Sequence, residues 1–257
     1  MIGTSLTSTS TTVIPAQLAS DLGEAIALHL WDHSGPVARA DTVVTQLARV
    51  AQTGRGGEVE EFVRRVDAVV ADDARRDFAI AVHPVQVRSK LWLIDELTNR
   101  CDLATSSLLV LGGWYGILPM LVNWRLATPP TQMVTIDTDA VVGNAGERVI
   151  GSMYPNVEYR CADAMTLDYG ALGLRHPPVI VNTICEHLLD VAGWWNRLPS
   201  GQLVAVQSNN YEGCADHVSA VGSIDEFKRQ LPFSELLFEG VLELPPWFDR
   251  YMLIGRR

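Results

Sequence analysis

Apolar and polar residues follow two different rhythms along this chain. In the first hundred residues, the apolar side chains recur at helical spacing. The clearest stripe consists of Leu18, Leu22, Ile26 and Leu30. Side chains four positions apart lie on one face of a helix, which can then pack against a neighbour. No alternation typical of a strand precedes about residue 105. We therefore predict a flexible tail over residues 1–13 and a helical cap domain over residues 14–104.

Four segments within this part carry helical patterns. They are residues 15–33, 37–52, 57–83 and 84–100. The second is closed by the glycines of TGRGG, which indicate a helix end. The third is predicted as a bent or broken helix, and Pro84 is acceptable in the first turn of the fourth.

After residue 105 the rhythm changes to short apolar runs separated by helical patterns, which is typical of alternating β and α units. Five candidate strands are SLLVL (107–111), QMVTID (132–137), VEYRCA (157–162), PVIVNT (178–183) and QLVAVQS (202–208). Helix candidates lie near 116–127, 139–152 and 188–197. Two further strands, ELLFEGVLEL and DRYMLIGRR, flank the turn PPWF and are close enough to pair antiparallel. We predict an α/β domain over residues 105–257.

The composition argues against several kinds of partner. The 257 residues carry a formal charge of −10, so the mean electrostatic field repels nucleic acid and anionic membranes. No apolar run of about 18 residues suggests a membrane span, and the N-terminus lacks the pattern of a signal peptide. The four cysteines are widely spaced, without a zinc-like pattern. We predict a cytoplasmic protein with reduced thiols, no metal site, and neither nucleic acid nor membrane as a partner.

The stretch LLVLGGWYGIL (108–118) places glycines between a predicted strand and a predicted helix. Glycine lets the backbone approach a ligand closely, and the start of a helix offers free N–H groups. The same glycines would also serve an ordinary turn that needs positive φ angles. A phosphate-binding G-x-x-x-x-G-K-[ST] motif is absent. The G-x-G-x-x-G motif fails because Trp114 and Ile117 stand where glycines are required.

Acidic residues follow the next two predicted strands. Asp137 ends the second strand, about 21 residues after Gly116, where an acid can accept hydrogen bonds from both ribose hydroxyls of a nucleoside. Asp163 follows the third strand, where its carboxylate and the Ala164 N–H could bind the edge of an adenine ring. Taken alone, each acid is more often a helix or turn cap, and Asp139 competes with Asp137 for that role.

The order and spacing of these features resemble the class I S-adenosylmethionine-dependent methyltransferase superfamily, over roughly residues 84–257. The resemblance implies a Rossmann-like, seven-stranded, mostly parallel sheet of order 3-2-1-4-5-7-6, with helices on both faces and the last strand antiparallel. It also implies S-adenosylmethionine as the cofactor and S-adenosylhomocysteine as the product. The helical cap would be added to this domain, either covering the pocket or forming a homodimer interface.

By the same resemblance, one set of residues is expected to bind the cofactor. The glycines would approach its methionine part, Asp137 its ribose, Asp163 its adenine, and Asn182 its amino or sulfonium end. The full predicted set is Gly112, Gly113, Trp114, Gly116, Asp137, Thr138, Asp163, Ala164, Asn182 and Lys90.

The chain departs from the family pattern at the glycine turn. Apolar residues replace the acid that is usual near the end of the first strand, and Trp114 stands at the position of a middle glycine. Another group must then bind the amino-acid end of the cofactor, and our hypothesis is that Gln86 or Lys90 reaches its carboxylate. The alternative for Lys90 is a stem packed on its own helix. Trp114 and Tyr115 either contact the sulfonium through their rings or pack beneath the helical cap.

Further candidates follow the fourth and fifth strands. In VNTICEHLLD (181–190), Glu186 and His187 are predicted as catalytic residues, Glu186 as a substrate or cofactor contact and His187 as a general base. Transfer to a soft or deprotonated nucleophile, however, needs little more than alignment. The predicted substrate-binding residues are Tyr115, Asn209, Asn210 and Tyr211.

The predicted function is methyl transfer from S-adenosylmethionine to a nitrogen, oxygen or carboxylate nucleophile of a small, specialised-metabolite-like molecule. Two alternatives stay open. One is aminocarboxypropyl transfer from the same cofactor, as in nicotianamine-synthase-like enzymes, which also join a helical bundle to this fold. The other is a non-catalytic module that binds the cofactor. Neither the substrate nor the oligomeric state follows from the sequence.

Overall fold

The computed structural model describes residues 13–31, 54–70, 74–174 and 178–257. The helices that precede the sheet in these ranges are α1 (Ala16–Trp31), α2 (Gly56–Val69), α3 (Arg75–Ala81) and α4 (Pro84–Thr98). The predicted third helix is therefore broken into α2 and α3, and Pro84 begins α4 as predicted. The predicted helix over 37–52 and the predicted tail, apart from Val13, lie outside the described residues.

In the described ranges, seven strands form one sheet. They are β1 (Ser107–Leu111), β2 (Gln132–Asp137), β3 (Val157–Cys161), β4 (Pro178–Asn182), β5 (Leu203–Asn209), β6 (Glu235–Leu244) and β7 (Phe248–Arg256). The helices among them are α5 (Ile117–Arg125), α6 (Ala140–Gly146) with a π-helical continuation (Glu147–Gly151), α7 (Val191–Arg197) and α8 (Ile224–Gln230). Short 3₁₀ turns cover Leu103–Thr105 and Cys185–His187. None of the helices described is both long and apolar enough to cross a membrane.

The strand order is β3-β2-β1-β4-β5-β7-β6, which confirms the predicted fold class. β1 pairs in parallel with β2 and β4, while β3 and β5 extend the parallel sheet. β7 lies antiparallel between β5 and β6. Because the parallel strands end at one edge of the sheet, the segments after β1, β2, β4 and β5 meet there. β7 begins at that same edge because it runs in the opposite direction.

Helices cover both faces of the sheet, and all five residues of β1 are buried, as expected for a central parallel strand. Successive side chains of β1 enter different cores. Leu108 and Val110 join a buried cluster with α1 to α5, whereas Leu109 and Leu111 join one with α7 and α8. The first cluster is continuous from α1 to the sheet. The domain boundary at residue 104 stays a prediction.

Helix α8 is not predicted by apolar periodicity, because it has only seven residues. Its start is nevertheless capped by side chains. The Ser223 hydroxyl accepts a hydrogen bond from the Glu226 N–H at 3.2 Å, and the Glu226 carboxylate accepts one from the Gly222 N–H at 2.8 Å. The sequence SIDE therefore carries a variant of the capping box, a local signal that indicates a helix start even where the helix is short.

Candidate active site

The turn after β1 has a strained backbone. Gly112 and Gly116 have φ angles of 61° and 81°, and Trp114 between them has a φ angle of 50°. Bulky residues adopt this region only where their surroundings hold them there. The Trp114 N–H donates a hydrogen bond of 2.8 Å to Asp137 Oδ2 at the end of β2. Asp137 therefore stabilises the strained residue of the turn.

Packing explains why glycines occupy this turn. A Cβ atom at Gly112 would lie 2.4 Å from the Ile184 side chain, and one at Gly116 would lie 1.8 Å from the Tyr159 hydroxyl oxygen. A Cβ atom at Gly113 would likewise lie 2.0 Å from a side-chain carbon of β2. Side chains of the protein itself therefore occupy the space that a Cβ atom would need at these three glycines. The predicted contact of these glycines with the cofactor stays a prediction.

The two aromatic rings of the turn attach it to α3. Trp114 Nε1 and the Tyr115 hydroxyl each donate a hydrogen bond of 2.9 Å to Asp77 Oδ2. The Tyr115 ring is 1% exposed and lies 4.8 Å from the Phe78 ring, centroid to centroid. Both rings therefore pack against the helical segments that precede the sheet, which is one of the two alternatives that the sequence left open. Contacts of Trp114 with the cofactor and of Tyr115 with a substrate stay predictions.

Replacing Asp77 by alanine is expected to lower the free energy of unfolding by about 2–4 kcal/mol, because two donors lose an ionised acceptor. Urea denaturation measures this change. The matched control is Glu60→Ala, which removes an exposed acid from α2. Equal stability of the two variants would show that the bonds to Asp77 contribute nothing.

Asp137 and Asp139 have separate roles at the end of β2. Asp139 is the cap of α6, since its Oδ1 accepts hydrogen bonds from the Val141 and Val142 N–H groups at 2.8 and 3.2 Å. Asp137 Oδ1 accepts one hydrogen bond, from the Asp139 N–H at 3.1 Å. Thr138 between them is exposed. Asp137 is thus free of the capping role that competed with its role as a ligand.

The segment after β3 forms an ordinary turn. Asp163 is exposed, and its Oδ1 accepts a hydrogen bond from the Met165 N–H at 2.8 Å. Ala164 is buried, and its carbonyl accepts a hydrogen bond from the Tyr169 hydroxyl at 2.9 Å. These contacts account for the local structure, and adenine binding by Asp163 and Ala164 stays a prediction.

Asn182 is a buried side chain with a free donor at the end of β4. It stands in register with Leu111 on β1 and with Val206 on β5, so it lies at the edge where the strands end. Its Oδ1 accepts a hydrogen bond from the Ile184 N–H at 3.0 Å, whereas its Nδ2 has no partner among the described residues. An unpaired buried amide costs about 1–3 kcal/mol, which a ligand atom can offset.

A buried ion pair lies between the segment after β4 and the start of β7. Arg250 donates a hydrogen bond of 2.8 Å to Glu186 Oε1, and the two side chains are 4% and 3% exposed. Asn209 Nδ2 donates to the same oxygen. Asn209 is the last residue of β5, so its predicted position in the following loop is wrong. Glu186 Oε2 and Arg250 Nε have no partner among the described residues.

Lys90 lies on α4, and its Nζ donates a hydrogen bond of 3.0 Å to Gln86 Oε1. The pKa of Lys90 is lowered to about 7, first because the amine is removed from water and then because Arg250 repels its charged form, while Glu186 opposes the change. Lys90 therefore changes charge near neutral pH. The two residues that we expected to bind the cofactor carboxylate, Gln86 and Lys90, bind each other.

The remaining predicted residues lie in the segments after β4 and β5. Partial desolvation lowers the pKa of His187, although Glu186 acts in the opposite direction. Asn210 bonds Asp249 at the start of β7, because its Oδ1 accepts a hydrogen bond from the Asp249 N–H at 2.8 Å. The Tyr211 ring lies 5.8 Å from the ring of His217, centroid to centroid. The structure thus brings Glu186 and Asn209 together, whereas Asn210 joins the loop to β7.

Two residues of this region have no counterpart among the predicted ones. Arg250 lies near the start of β7, next to Asp249 and directly before a buried apolar run, and Asp77 is an acid in the first turn of α3. Charged residues are mostly exposed, so nothing in the residues around Arg250 indicates that it is buried. Nothing in the sequence near Asp77 indicates its contacts.

No protein-family model matches the chain, and no curated protein matches it in sequence. Solved structures match it in fold. The N-methyltransferase NodS from Bradyrhizobium japonicum WM9, in complex with S-adenosylhomocysteine, aligns with a TM-score of 0.54 at 12% identity, over 77% of this chain and 98% of that one.

Two further structures share the fold. The [4+2]-cyclase SpnF aligns with a TM-score of 0.51 at 13% identity, over 67% of this chain and 81% of that one. A putative sarcosine dimethylglycine methyltransferase from Galdieria sulphuraria aligns with a TM-score of 0.50 at 12% identity, over 68% and 87%. At these identities the likeness concerns the fold.

Proposed function

We propose that this chain, which has the fold of the class I S-adenosylmethionine-dependent methyltransferases, binds S-adenosylmethionine and transfers its methyl group to a small molecule. Of the structures with this fold, NodS is an N-methyltransferase in complex with S-adenosylhomocysteine, and the Galdieria sulphuraria protein is a putative sarcosine dimethylglycine methyltransferase. Both are other proteins at 12% identity, so the residues of this chain must carry the proposal.

The observation that carries the proposal is that the Asp137 carboxylate can accept further hydrogen bonds. Its two oxygens accept backbone hydrogen bonds from Trp114 and Asp139, whereas an ionised carboxylate has about four lone-pair positions. Acceptor positions thus stay available at the edge where open parallel sheets bind nucleotides. A ribose carries two adjacent hydroxyl donors that match them.

Asn182 and Lys90 suit the amino-acid end of the cofactor. Asn182 Nδ2 is a buried donor without a partner among the described residues, and a carboxylate oxygen would satisfy it. Lys90 offers a positive charge on α4, which would strengthen the hydrogen bond to the same group. Together they would hold the carboxylate of the cofactor, in a chain that lacks the acid usual for the family near the end of the first strand.

Bound S-adenosylmethionine supplies an electrophilic methyl group on a sulfonium. The contribution of the chain is then mainly alignment, because in-line attack by a soft or deprotonated nucleophile gains most from positioning. The bonds from Arg250 and Asn209 fix the carboxylate of Glu186 beyond the end of β4. We assign Glu186 and the adjacent His187 as the groups that position the acceptor molecule.

The acceptor is proposed as a small molecule with a nitrogen, oxygen or carboxylate nucleophile. The net charge of −10 disfavours nucleic acid, whose phosphates such a field repels. The same proposal gives the helical segments before β1 the role of covering the cofactor pocket.

Product analysis tests the reaction. The protein is incubated with S-adenosylmethionine and a panel of amines, phenols and carboxylic acids, and the products are identified by mass spectrometry. S-Adenosylhomocysteine is the expected cofactor product. Methylthioadenosine would instead indicate aminocarboxypropyl transfer. Conversion of an acceptor with the cofactor left intact would contradict methyl transfer, and this outcome is measured because one structure with this fold is a [4+2]-cyclase.

Cofactor binding is expected to weaken as the pH rises, because a lysine that binds a carboxylate must be charged. With the pKa of Lys90 near 7 in the free protein, affinity for S-adenosylhomocysteine should be constant below about pH 6 and fall by up to about 50-fold between about pH 7 and pH 9, as the charged fraction of Lys90 falls. Calorimetric titration across this range measures the fall. The charged groups that act on Lys90 are Arg250 and Glu186.

Two variants isolate this effect from other titrating groups such as His187. Lys90→Arg stays charged across the range, so its affinity should change little with pH. Lys90→Ala should bind weakly at every pH. Unchanged affinity of Lys90→Ala at about pH 6 would show that the amine does not contact the cofactor.

A further inference from the structure

Three side chains of metal-binding type meet beyond the ends of β4 and β5. Glu186 and His187 lie on the 3₁₀ turn after β4, and His217 lies in the loop after β5. One ligand atom from each lies within 4.8 Å of the other two. Two imidazoles and one carboxylate are the donor set of many sites for divalent transition metals.

The unpaired oxygen of Glu186 points independently to a cation. Glu186 Oε1 accepts hydrogen bonds from Arg250 and Asn209. Glu186 is only 2% exposed, so water does not reach its Oε2, and this oxygen has no hydrogen-bond partner among the described residues. A buried carboxylate oxygen without a partner is rare in native structures and calls for a ligand. Both donors bind Oε1, so the lone pairs of Oε2 are left for a further ligand.

The imidazole of His217 has the orientation of a metal ligand. Its Nδ1 lies 2.7 Å from the Tyr211 carbonyl oxygen. A carbonyl oxygen only accepts, so Nδ1 is the donor, and in the neutral imidazole Nε2 then has the lone pair that a metal needs. Histidines that bind metals usually donate their other ring N–H to a carbonyl or carboxylate in this way. The rings of His187 and His217 lie edge to face with their centroids 4.7 Å apart.

We propose that Glu186, His187 and His217 bind one divalent first-row transition-metal ion. Ligand atoms around such an ion lie about 3.0–3.4 Å apart, given bond lengths of about 2.1 Å, so the three groups need to approach by about 1–2 Å. Side-chain rotation on a short turn and a loop can supply this movement. The sequence predicts no metal site, because the three residues come from two segments 30 residues apart, without a spacing motif.

Three protein ligands leave coordination positions open. In the reaction proposed above, on which this role depends, the open positions would bind an oxygen of the acceptor. A metal ion lowers the pKa of a hydroxyl group that it binds. The acceptor class is therefore narrowed to molecules with a hydroxyl or carboxylate oxygen as ligand.

Titration with Co²⁺ tests the site. Protein freed of metal with a chelator and dialysed is titrated with Co²⁺, and the visible absorption of the bound ion is recorded. We expect saturation at one ion per chain. His187→Ala and His217→Ala should each weaken binding by at least about tenfold. Calorimetry with Zn²⁺ repeats the measurement, and thermal unfolding checks that each variant is folded.

The matched control is His83→Ala, which removes an imidazole that accepts a hydrogen bond from the Val85 N–H at the start of α4. It should bind Co²⁺ as the wild type does. No saturable binding by the wild type, or an equal loss in His83→Ala and His217→Ala, would overturn the site. Titration of the metal-free wild type with S-adenosylhomocysteine separates the two proposals. Cofactor binding without metal binding would refute the metal site alone.

Discussion

Replacing Arg250 by methionine is expected to lower the free energy of unfolding by about 3–5 kcal/mol. The substitution leaves the Glu186 carboxylate buried with Asn209 as its one remaining hydrogen-bond donor among the described residues. Removing one partner of a buried ion pair is costly because the other charge stays out of water without compensation. Methionine keeps much of the apolar stem of arginine, so the loss reports mainly the charge. Urea denaturation measures the change.

A double-mutant cycle assigns this loss to the pair. The double variant Arg250→Met/Glu186→Gln should recover part of the stability lost in Arg250→Met, because no unpaired charge is left. Arg256→Met is the matched control, since Arg256 pairs with Glu235 on the surface at 3.4 Å. An exposed pair of this kind contributes about 0–1 kcal/mol. Equal losses for Arg250→Met and Arg256→Met would contradict the special role of the buried pair.

Replacing Asp137 by alanine is expected to weaken binding of S-adenosylhomocysteine by at least about 100-fold. Hydrogen bonds from two ribose hydroxyls to a charged acceptor contribute about 1.5–3 kcal/mol each, and about 1.4 kcal/mol corresponds to a factor of ten in affinity. The variant also removes the acceptor for the Trp114 N–H, which holds the turn. Calorimetric titration measures the affinity, and circular dichroism checks the fold.

Asp139→Ala is the control for Asp137→Ala, because it removes a carboxylate two residues away that caps α6. It should lower the stability by about 0.5–2 kcal/mol and leave the affinity nearly unchanged. If both variants bound S-adenosylhomocysteine as the wild type does, Asp137 would be a structural residue of the turn and the proposed ribose contact would be wrong.

The sheet is largely predictable from the sequence, because the central parallel strands are short apolar runs bounded by polar residues. The predicted strands SLLVL and QMVTID coincide with β1 and β2. Asn209 shows the limit of this reasoning. Its polar side chain suggests a loop, yet the pairing with Arg250 on β7 extends β5 through it and buries it. The end of a strand depends on pairing with another strand, and the sequence of one segment alone does not show that pairing.

The site is less predictable, because its contacts join residues far apart in the sequence. The Glu186–Arg250 bond spans 64 residues, and the bond from Trp114 to Asp77 spans 37. Charged residues are mostly exposed, so an arginine in a strand or an aspartate in a helix suggests a solvated position. The glycine turn could be placed from the sequence, whereas the anchoring of its two rings to α3 required the structure.

The proposed cofactor binding is tested most directly by a calorimetric titration of the wild-type protein with S-adenosylhomocysteine. We expect saturable binding of one molecule per chain, and displacement of that molecule by S-adenosylmethionine. Absence of saturable binding for both compounds, in protein shown to be folded, would contradict the proposed cofactor binding.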